Sequence, residues 1–372
     1  MIRAKHVLVL GAVVVGCGGE SDASKGAVSP PPANAIASSV PQSPVAPSAP
    51  EEPPKPAAPT LAELAKQTLL GLVSAQNARD AKKAAAVYME DAVLVAPGPV
   101  STVSPQRVTF TGRDAIEKSY QELYAGTSNN KFGIARVWVK GDVVVTEWVS
   151  LFKHSGTLMG LKATDKLAGI NGVSIAWLTP EGLVKQEHRY YDTLTIAGQV
   201  GATKQKVRPV VVGVPVAPDM VAAKEGDDKN VHFLETIYGA FEKKSDTDFL
   251  GVLSDNTVHE DYAEPDAARG KDAAKKAMLD FTKAFPDGKI KIDNAWGVGD
   301  YAIAEVTFDG TQKAPLGPIP ASNKHVKVQS VDIAKINKDG KVSHVWTYGD
   351  QADVLVQLGV VKPPAAPAAP KK

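Results

Sequence analysis

The 372-residue chain has one cysteine, Cys17, so no disulfide can close within it and a cysteine-ligated zinc site is excluded. It has no surplus of either charge. Forty-two Lys and Arg against 41 Asp and Glu leave a formal net charge of +1, and no basic stretch is interleaved with aromatics. The electrostatic footprint of a nucleic-acid binder is therefore missing. No metal-ligand spacing stands out among the seven histidines, and there is neither a Gly-rich phosphate loop nor a nucleophile elbow. Neither a metal nor a cofactor is expected. The N-terminal apolar run, Val7 to Val15, is too short to span a bilayer as a helix.

What that run does resemble is a secretory signal peptide, with Arg3, Lys5 and His6 ahead of it and small residues after it. "VVGC" at 14 to 17 is similar to a bacterial lipobox, which would make Cys17 the lipid-modified first residue of the mature chain and residues 1–17 its signal peptide. Gly18, where an Asp would signal retention, favours the outer membrane. Residues 18–60 are Pro, Ala, Ser and Glu with almost no large apolar side chains, so they cannot bury enough surface to order themselves and should act as a semi-stiff tether. "KPPAAPAAPKK", from 362 to 372, is a second such tail. The expected location is the cell envelope, held by a lipid.

Between the two disordered segments the chain repeats. An offset of 158 aligns Gly112-Arg113-Asp114-Ala115 with Gly270-Lys271-Asp272-Ala273 and Trp138 with Trp296. The same offset aligns Glu147 with Glu305, Tyr190 with Tyr348, Asp192 with Asp350 and Gln199 with Gln357. One ungapped register over residues 112–201 marks a duplicated domain and not a solenoid. The expected organisation is a first domain at 61–202, a connector at 203–228 and a second domain at 229–361. "RPVVVGVPVAPDM" (208–220) is too apolar for a flexible linker and too Pro-rich for a central strand, which leaves an edge strand or an ordered crossover.

The second copy reads as helices over 229–244, 246–253 and from Gly270, the last carrying Ala274, Met278, Phe281 and Phe285 on one side. Strands follow near 288–298, 300–309, 324–337 and 341–349, with a short closing helix to Gly359. The first copy repeats this plan after a helix over about Leu61 to Ala78. Helices followed by an antiparallel meander define an α+β domain.

"GKDAAKKAMLDFTKAFPDGKIKI", "LGPIP" and the closing Gly-Lys…Trp-x-x-x-Asp…Gln-Leu-Gly make the second copy resemble the SnoaL-like (ester cyclase or polyketide cyclase) branch of the nuclear transport factor 2-like superfamily. The first copy is similar through "GRDAIEKSY", "GTLMGLKAT" and the ending at Asp192. The resemblance implies a tandem of cone-shaped α+β barrels, each with a bent antiparallel sheet around helices and a pocket at its open end. It also implies that an Asp in the pocket serves as general base, with Asp350 and Asp192 the candidates by position. Where the family often carries Glu two residues before the Trp, this chain has His344 and Gln186, and His188 replaces the first copy's Trp.

Period-two alternation sorts the last strand of each copy into faces, with His344, Trp346, Tyr348 and Asp350 on one side and Gln186, His188, Tyr190 and Asp192 on the corresponding side. Large amphipathic side chains ending in a carboxylate suit a pocket wall, so this face is expected to line the ligand site. His259, with Asp261 on its face, is a further candidate acid or orienting group. The competing reading is that Asp350 and Asp192 are N-caps of the helices they begin and that His259 is an ordinary strand residue. Trp138 and Trp296 are expected in core packing. Three functions follow: a lipid-anchored module binding small apolar or carbonyl-bearing molecules, a cyclase or isomerase using Asp350 as base, or a structural pair with filled pockets. The expected partner of each sheet is the other copy, as an intramolecular pseudo-dimer, or a second chain, as a homodimer.

Overall fold

The computed structural model describes residues 59–99 and 107–361; the expected signal peptide with Cys17, the expected tether as far as residue 58 and the expected tail from residue 362 lie outside the described residues. The first copy opens with α1 (Leu61–Ala78), started by a capping box. The Thr60 hydroxyl accepts from the Glu63 N–H at 3.3 Å, and the Glu63 carboxylate accepts from the Thr60 N–H at 2.7 Å. Then come α2 (Ala81–Ala85), β1 (Tyr88–Pro97), β2 (Arg107–Thr111), α3 (Arg113–Gly126), β3 (Thr127–Lys140), β4 (Val143–His154), β5 (Leu167–Leu178), β6 (Val184–Tyr190) and α4 (Thr193–Gln199).

After the connector strand β7 (Asp219–Ala222) and a 3-10 turn at Asp227–Asn230, the second copy repeats the order: α5 (Val231–Lys243), α6 (Asp246–Val252), β8 (Leu253–Asp261), β9 (Ala268–Arg269), α7 (Gly270–Ala284), β10 (Lys289–Val298), β11 (Tyr301–Thr311), β12 (His325–Ile336), β13 (Val342–Tyr348) and α8 (Gln351–Gln357). The helices and strands fall within a few residues of their expected positions. The cap of α6 is Ser245, whose hydroxyl accepts from the Asp248 N–H at 3.2 Å.

The two sheets have the same strand order, β3-β4-β5-β6-β1-β2 and β10-β11-β12-β13-β8-β9, with β7 added to the outer edge of β3. Each meander is antiparallel, but its last strand returns beside the first strand of its own copy and pairs with it in parallel, β6 with β1 and β13 with β8. That pairing curls each sheet over its helices. Bulges at Ile134/Arg136 and, 158 residues later, at Ile292/Asn294 bend the two sheets at the same place. The fold is thus α+β, two cone-shaped domains of the same topology in tandem.

Of "RPVVVGVPVAPDM" only Asp219 and Met220 enter a strand, β7; the rest crosses between copies as irregular chain close to the first sheet. Gly133 makes room for it, since a Cβ there would stand 2.2 Å from the Pro215 carbonyl oxygen.

Separate apolar clusters line the interiors of the two cones. A third lies between the copies and draws on both sheets: Trp138, Val145 and Ile175 from the first, Tyr301, Ile333 and Trp346 from the second. The outer faces of the two sheets therefore pack on each other, and the described residues from 59 onward form one compact unit.

Candidate functional site

That packing inverts the expected orientation of the last strands. The face of β6 carrying His188 and Tyr190, and the face of β13 carrying His344, Trp346 and Tyr348, turn away from the cone interiors. Tyr190 and Tyr348 donate to Glu305 and Glu147 in the opposite copy. His188 Nδ1 lies 2.6 Å from Glu305 Oε1 and its ring packs edge-on against Trp177. Gln186 reaches His188 Nε2 at 2.8 Å. Trp346 lies under the Arg136 guanidinium, 3.7 Å from the ring centroid, with His344 stacked on it at 3.9 Å. Burial holds the His344 imidazole below its ordinary pKa. Both faces of these strands are buried, one by helices and one by the other sheet, so alternation alone identifies two rows without saying which row looks inward.

The two aspartates also leave the pocket. Asp192 caps α4 through the Leu194 and Thr195 N–H groups at 3.3 and 2.7 Å, and it accepts from the Gln351 N–H of the second copy at 2.9 Å. Asp350 caps α8 through the Ala352 N–H at 3.1 Å and accepts from the Thr193 N–H and hydroxyl at 3.1 and 2.8 Å. Each carboxylate thus bridges the starts of two helices across the contact between copies. Asp350 borders a crevice of about 10 Å³, room for roughly one water. It is seated as a helix cap and not as a base facing a substrate. Trp138 and Trp296 lie in the layer between copies, against Tyr301 and Trp177 respectively.

The row that does look inward in the first copy is Glu187, Arg189 and, just past the strand, Tyr191. With α1, α3 and β1–β5 they surround a cavity of about 570 Å³, within the roughly 300–1,000 Å³ usual for small-molecule sites. Its walls are apolar and aromatic: Leu69, Leu72, Phe110, Phe132, Trp148 and Phe152. Helix choice makes the space. The face that α1 turns to the sheet holds Ala65, Thr68, Leu69 and Leu72, whereas α5 and α6 bring Phe233, Tyr238, Phe241 and Phe249 to the second cone. One end is lined by Pro97–Pro99 and by Thr157–Gly160 of the β4–β5 loop. That loop is pinned to the end of α3 by the Ser155 and Gly156 N–H groups on the Gly126 carbonyl, at 3.1 and 3.0 Å.

A polar group is built into this apolar wall. Arg189 donates through Nε to Glu187 Oε1 at 2.7 Å, and through Nη2 to the hydroxyls of Tyr88 and Tyr120 at 2.7 and 2.6 Å. Tyr88 in turn donates to Glu187. Burial works to raise the Glu187 carboxyl, but Arg189 and hydrogen bonds from Arg189, Tyr88 and Ser174 outweigh it and hold the group below the usual carboxylate range. Burial likewise works against the Arg189 charge, and Glu187 more than restores it. Both members stay ionised, so the pair is a neutral unit. An opposite-charge Glu-x-Arg on one face of a strand was the sequence signal for this site, overlooked because the neighbouring row has the larger aromatics.

The second copy places His259 on the inward side. Its Nε2 lies 3.0 Å from the Thr347 hydroxyl, which donates to Asp332 Oδ1 at 2.6 Å, while Tyr238 donates to Oδ2 at 2.8 Å. Asp261 completes the cluster, and burial raises both aspartates above the usual carboxylate range. His259 and Asp261, expected together, are together; the Asp they meet is Asp332 and not Asp350. Among the described residues no group of His, Cys, Asp and Glu is arranged to hold a metal ion.

With this geometry in place, the comparisons with known proteins are specific about family. Residues 232–358 match the family of SnoaL-like polyketide cyclases, and residues 70–186 match the SnoaL-like domain family. The two matches fall on the two cones and support the SnoaL-like family for this chain. Among solved structures, TsrD from Streptomyces laurentii is similar at 25% identity, over 37% of this chain and 98% of that one, with a TM-score of 0.33. A protein with a ketosteroid isomerase-like fold from Catenulispora acidiphila is similar at 13% identity, over 34% of this chain and 92% of that one, with a TM-score of 0.30. No curated protein matches the chain.

Proposed function

We propose that this chain is a small-molecule-binding module whose working pocket is the cone of the first copy. The observation that carries the reading is the cavity of about 570 Å³ walled by Phe110, Phe132, Trp148 and Phe152, with one neutralised polar pair, Glu187 and Arg189, set into it. Apolar walls supply affinity without direction, and a few fixed polar groups supply orientation. Titration of the full chain with N-phenyl-1-naphthylamine tests it. The probe's fluorescence should rise on binding, and Ala176→Phe, which projects into the cavity, should abolish the rise while the protein stays folded. Equal binding by that variant overturns the assignment.

We place the module at the cell envelope, tethered through lipid on Cys17, on the strength of the basic start, apolar run and "VVGC". Metabolic labelling with a fatty acid analogue tests this: Cys17→Ser should lose the label.

A second reading, acid–base chemistry of the cyclase or isomerase kind, rests on the second cone. The chain His259, Thr347, Asp332 and Tyr238 joins a carboxylate of raised pKa to a histidine, so the base in this reading is Asp332 in place of Asp350. Asp332→Asn should then abolish any turnover that Asp350→Asn leaves intact.

A further inference from the structure

The charge arithmetic of the first-copy cavity points to more than an apolar pocket. Arg189 has five N–H donors in a planar fork. Nε serves Glu187, and Nη2 serves Glu187, Tyr88 and Tyr120. Nη1 has no hydrogen-bond partner among the described residues, although the Arg189 side chain lines the cavity and is only 17% exposed. Nη1 is not among the fully buried unpaired atoms, so it stays accessible in the cavity, where a ligand oxygen could accept from it.

What kind of oxygen follows from the sum of charges. Among the described residues, the side chains lining the cavity as acids or strong bases are Glu122, Glu187 and Arg189. Glu187 already neutralises Arg189 inside, and exposed Glu122 adds a negative charge where it meets solvent. A ligand carboxylate would therefore enter a low-dielectric space that holds no spare positive charge, which is strongly unfavourable. An uncharged carbonyl carries an acceptor lone pair without that penalty.

We propose that the cavity selects by charge: it takes an uncharged, largely apolar molecule whose carbonyl oxygen accepts from Arg189 Nη1, and Glu187 is the residue that turns carboxylates away. The inference rests on the cavity being the binding site. It assigns Glu187 a specificity role: the carboxylate neutralises the anchor, so the anchor recognises a dipole and not an ion. Removing the Glu187 charge while keeping its shape should leave the Arg189 cation unopposed and reverse the preference.

Calorimetric titration of the full chain with three probes of matched shape tests this: 2-acetylnaphthalene, 2-ethylnaphthalene and 2-naphthoate. At neutral pH the ketone should bind at least tenfold more tightly than the carboxylate, and more tightly than the hydrocarbon. In Glu187→Gln the carboxylate should overtake the ketone. A second measurement does not depend on that variant folding: in the unaltered protein, affinity for the naphthoate should rise as pH falls and the probe takes up its proton. If all three probes bind but ketone and carboxylate bind alike, charge selection is wrong while the binding reading stands. If none binds, both are wrong.

Discussion

Tyr190 of the first copy donates its hydroxyl to Glu305 of the second at 2.5 Å. Tyr348 returns the bond to Glu147, and both partners are related by the same 158-residue offset. The duplication is therefore expressed as a reciprocal contact, in which each copy supplies the donor and the acceptor. The surroundings have diverged. Glu147 is also held by Arg136 of its own copy through Nη2 at 2.7 Å, whereas Glu305 receives Asn294 from its own copy at 2.6 Å and His188 from the other.

Tyr348→Phe should cost about 1–3 kcal/mol, the range for a buried hydrogen bond to a charged acceptor. Urea unfolding of the full chain measures it. A change within a few tenths of a kcal/mol would show that the contact between copies does not depend on this bond.

Asp350 gives the protein a pH dependence of definite sign. Burial holds its carboxyl at about 6 and that of Asp192 well above its ordinary range, so the folded chain keeps protons that the unfolded chain releases near 3.8. Stability from Asp350 is fully present below about pH 3.8 and is lost as pH rises through about 6; Asp192 acts in the same direction. Asp350→Asn keeps a capping side chain without the charge, so it should flatten stability between pH 4 and 7. Asp350→Ala also removes the titrating group, so its profile should be equally flat but about 1 kcal/mol below that of the Asn variant at every pH, for want of a cap. Denaturant midpoints at pH 4.5, 6 and 8 separate the two; an unchanged slope in the Asn variant would refute the assignment.

Arg189→Met should destabilise by about 3–5 kcal/mol, because it leaves the Glu187 carboxylate buried without its counter-charge. The double variant Glu187→Met with Arg189→Met should recover most of that loss. Thermal unfolding of the three proteins checks it, and a double variant no better than the single one would show that the pair is not a unit.

Gly172 sits opposite Trp148 in the β4–β5 ladder, and a Cβ there would stand 2.2 Å from the indole ring. Gly172→Ala should force the ring aside, break its 3.0 Å bond from Nε1 to the Ser174 hydroxyl, and cost about 1–3 kcal/mol by overpacking. Affinity for N-phenyl-1-naphthylamine should fall with it. Retention of both stability and binding would show that the cavity wall tolerates the shift.

How far the site was legible in the sequence can be judged strand by strand. Alternation in "VKQEHRYYD" and "KVSHVWTYGD" put Gln186, His188 and Tyr190 in one row and His344, Trp346 and Tyr348 in the matching one, but it fails at Val184 and Val342, which sit at register shifts and join the cone interiors. It could not choose the inward row, because the outward row is buried as well and therefore looks just as apolar. The larger aromatics, Tyr190, Trp346 and Tyr348, went to the contact between sheets, where broad surfaces must be filled. The binding wall received a compact ion pair. The capping role of Asp192 and Asp350 was readable locally, since a cap depends on the next three residues; that each also caps the other copy's helix was not.

The sequence alone determined what depends on neighbours along the chain: the duplication at a constant offset, the helices with their apolar stripes, the order of strands and the α+β class. Periodicity and capping are local, and 3.6- and 2-residue repeats survive whatever the tertiary arrangement. The tertiary structure alone decided which face of each sheet meets the other copy, that Glu187 and Arg189 share one cavity, and that α1 leaves open the space that α5 and α6 fill. Those outcomes depend on side chains far apart in sequence, such as Tyr348 with Glu147 or Arg189 with Tyr88, meeting across surfaces that no single strand or helix specifies.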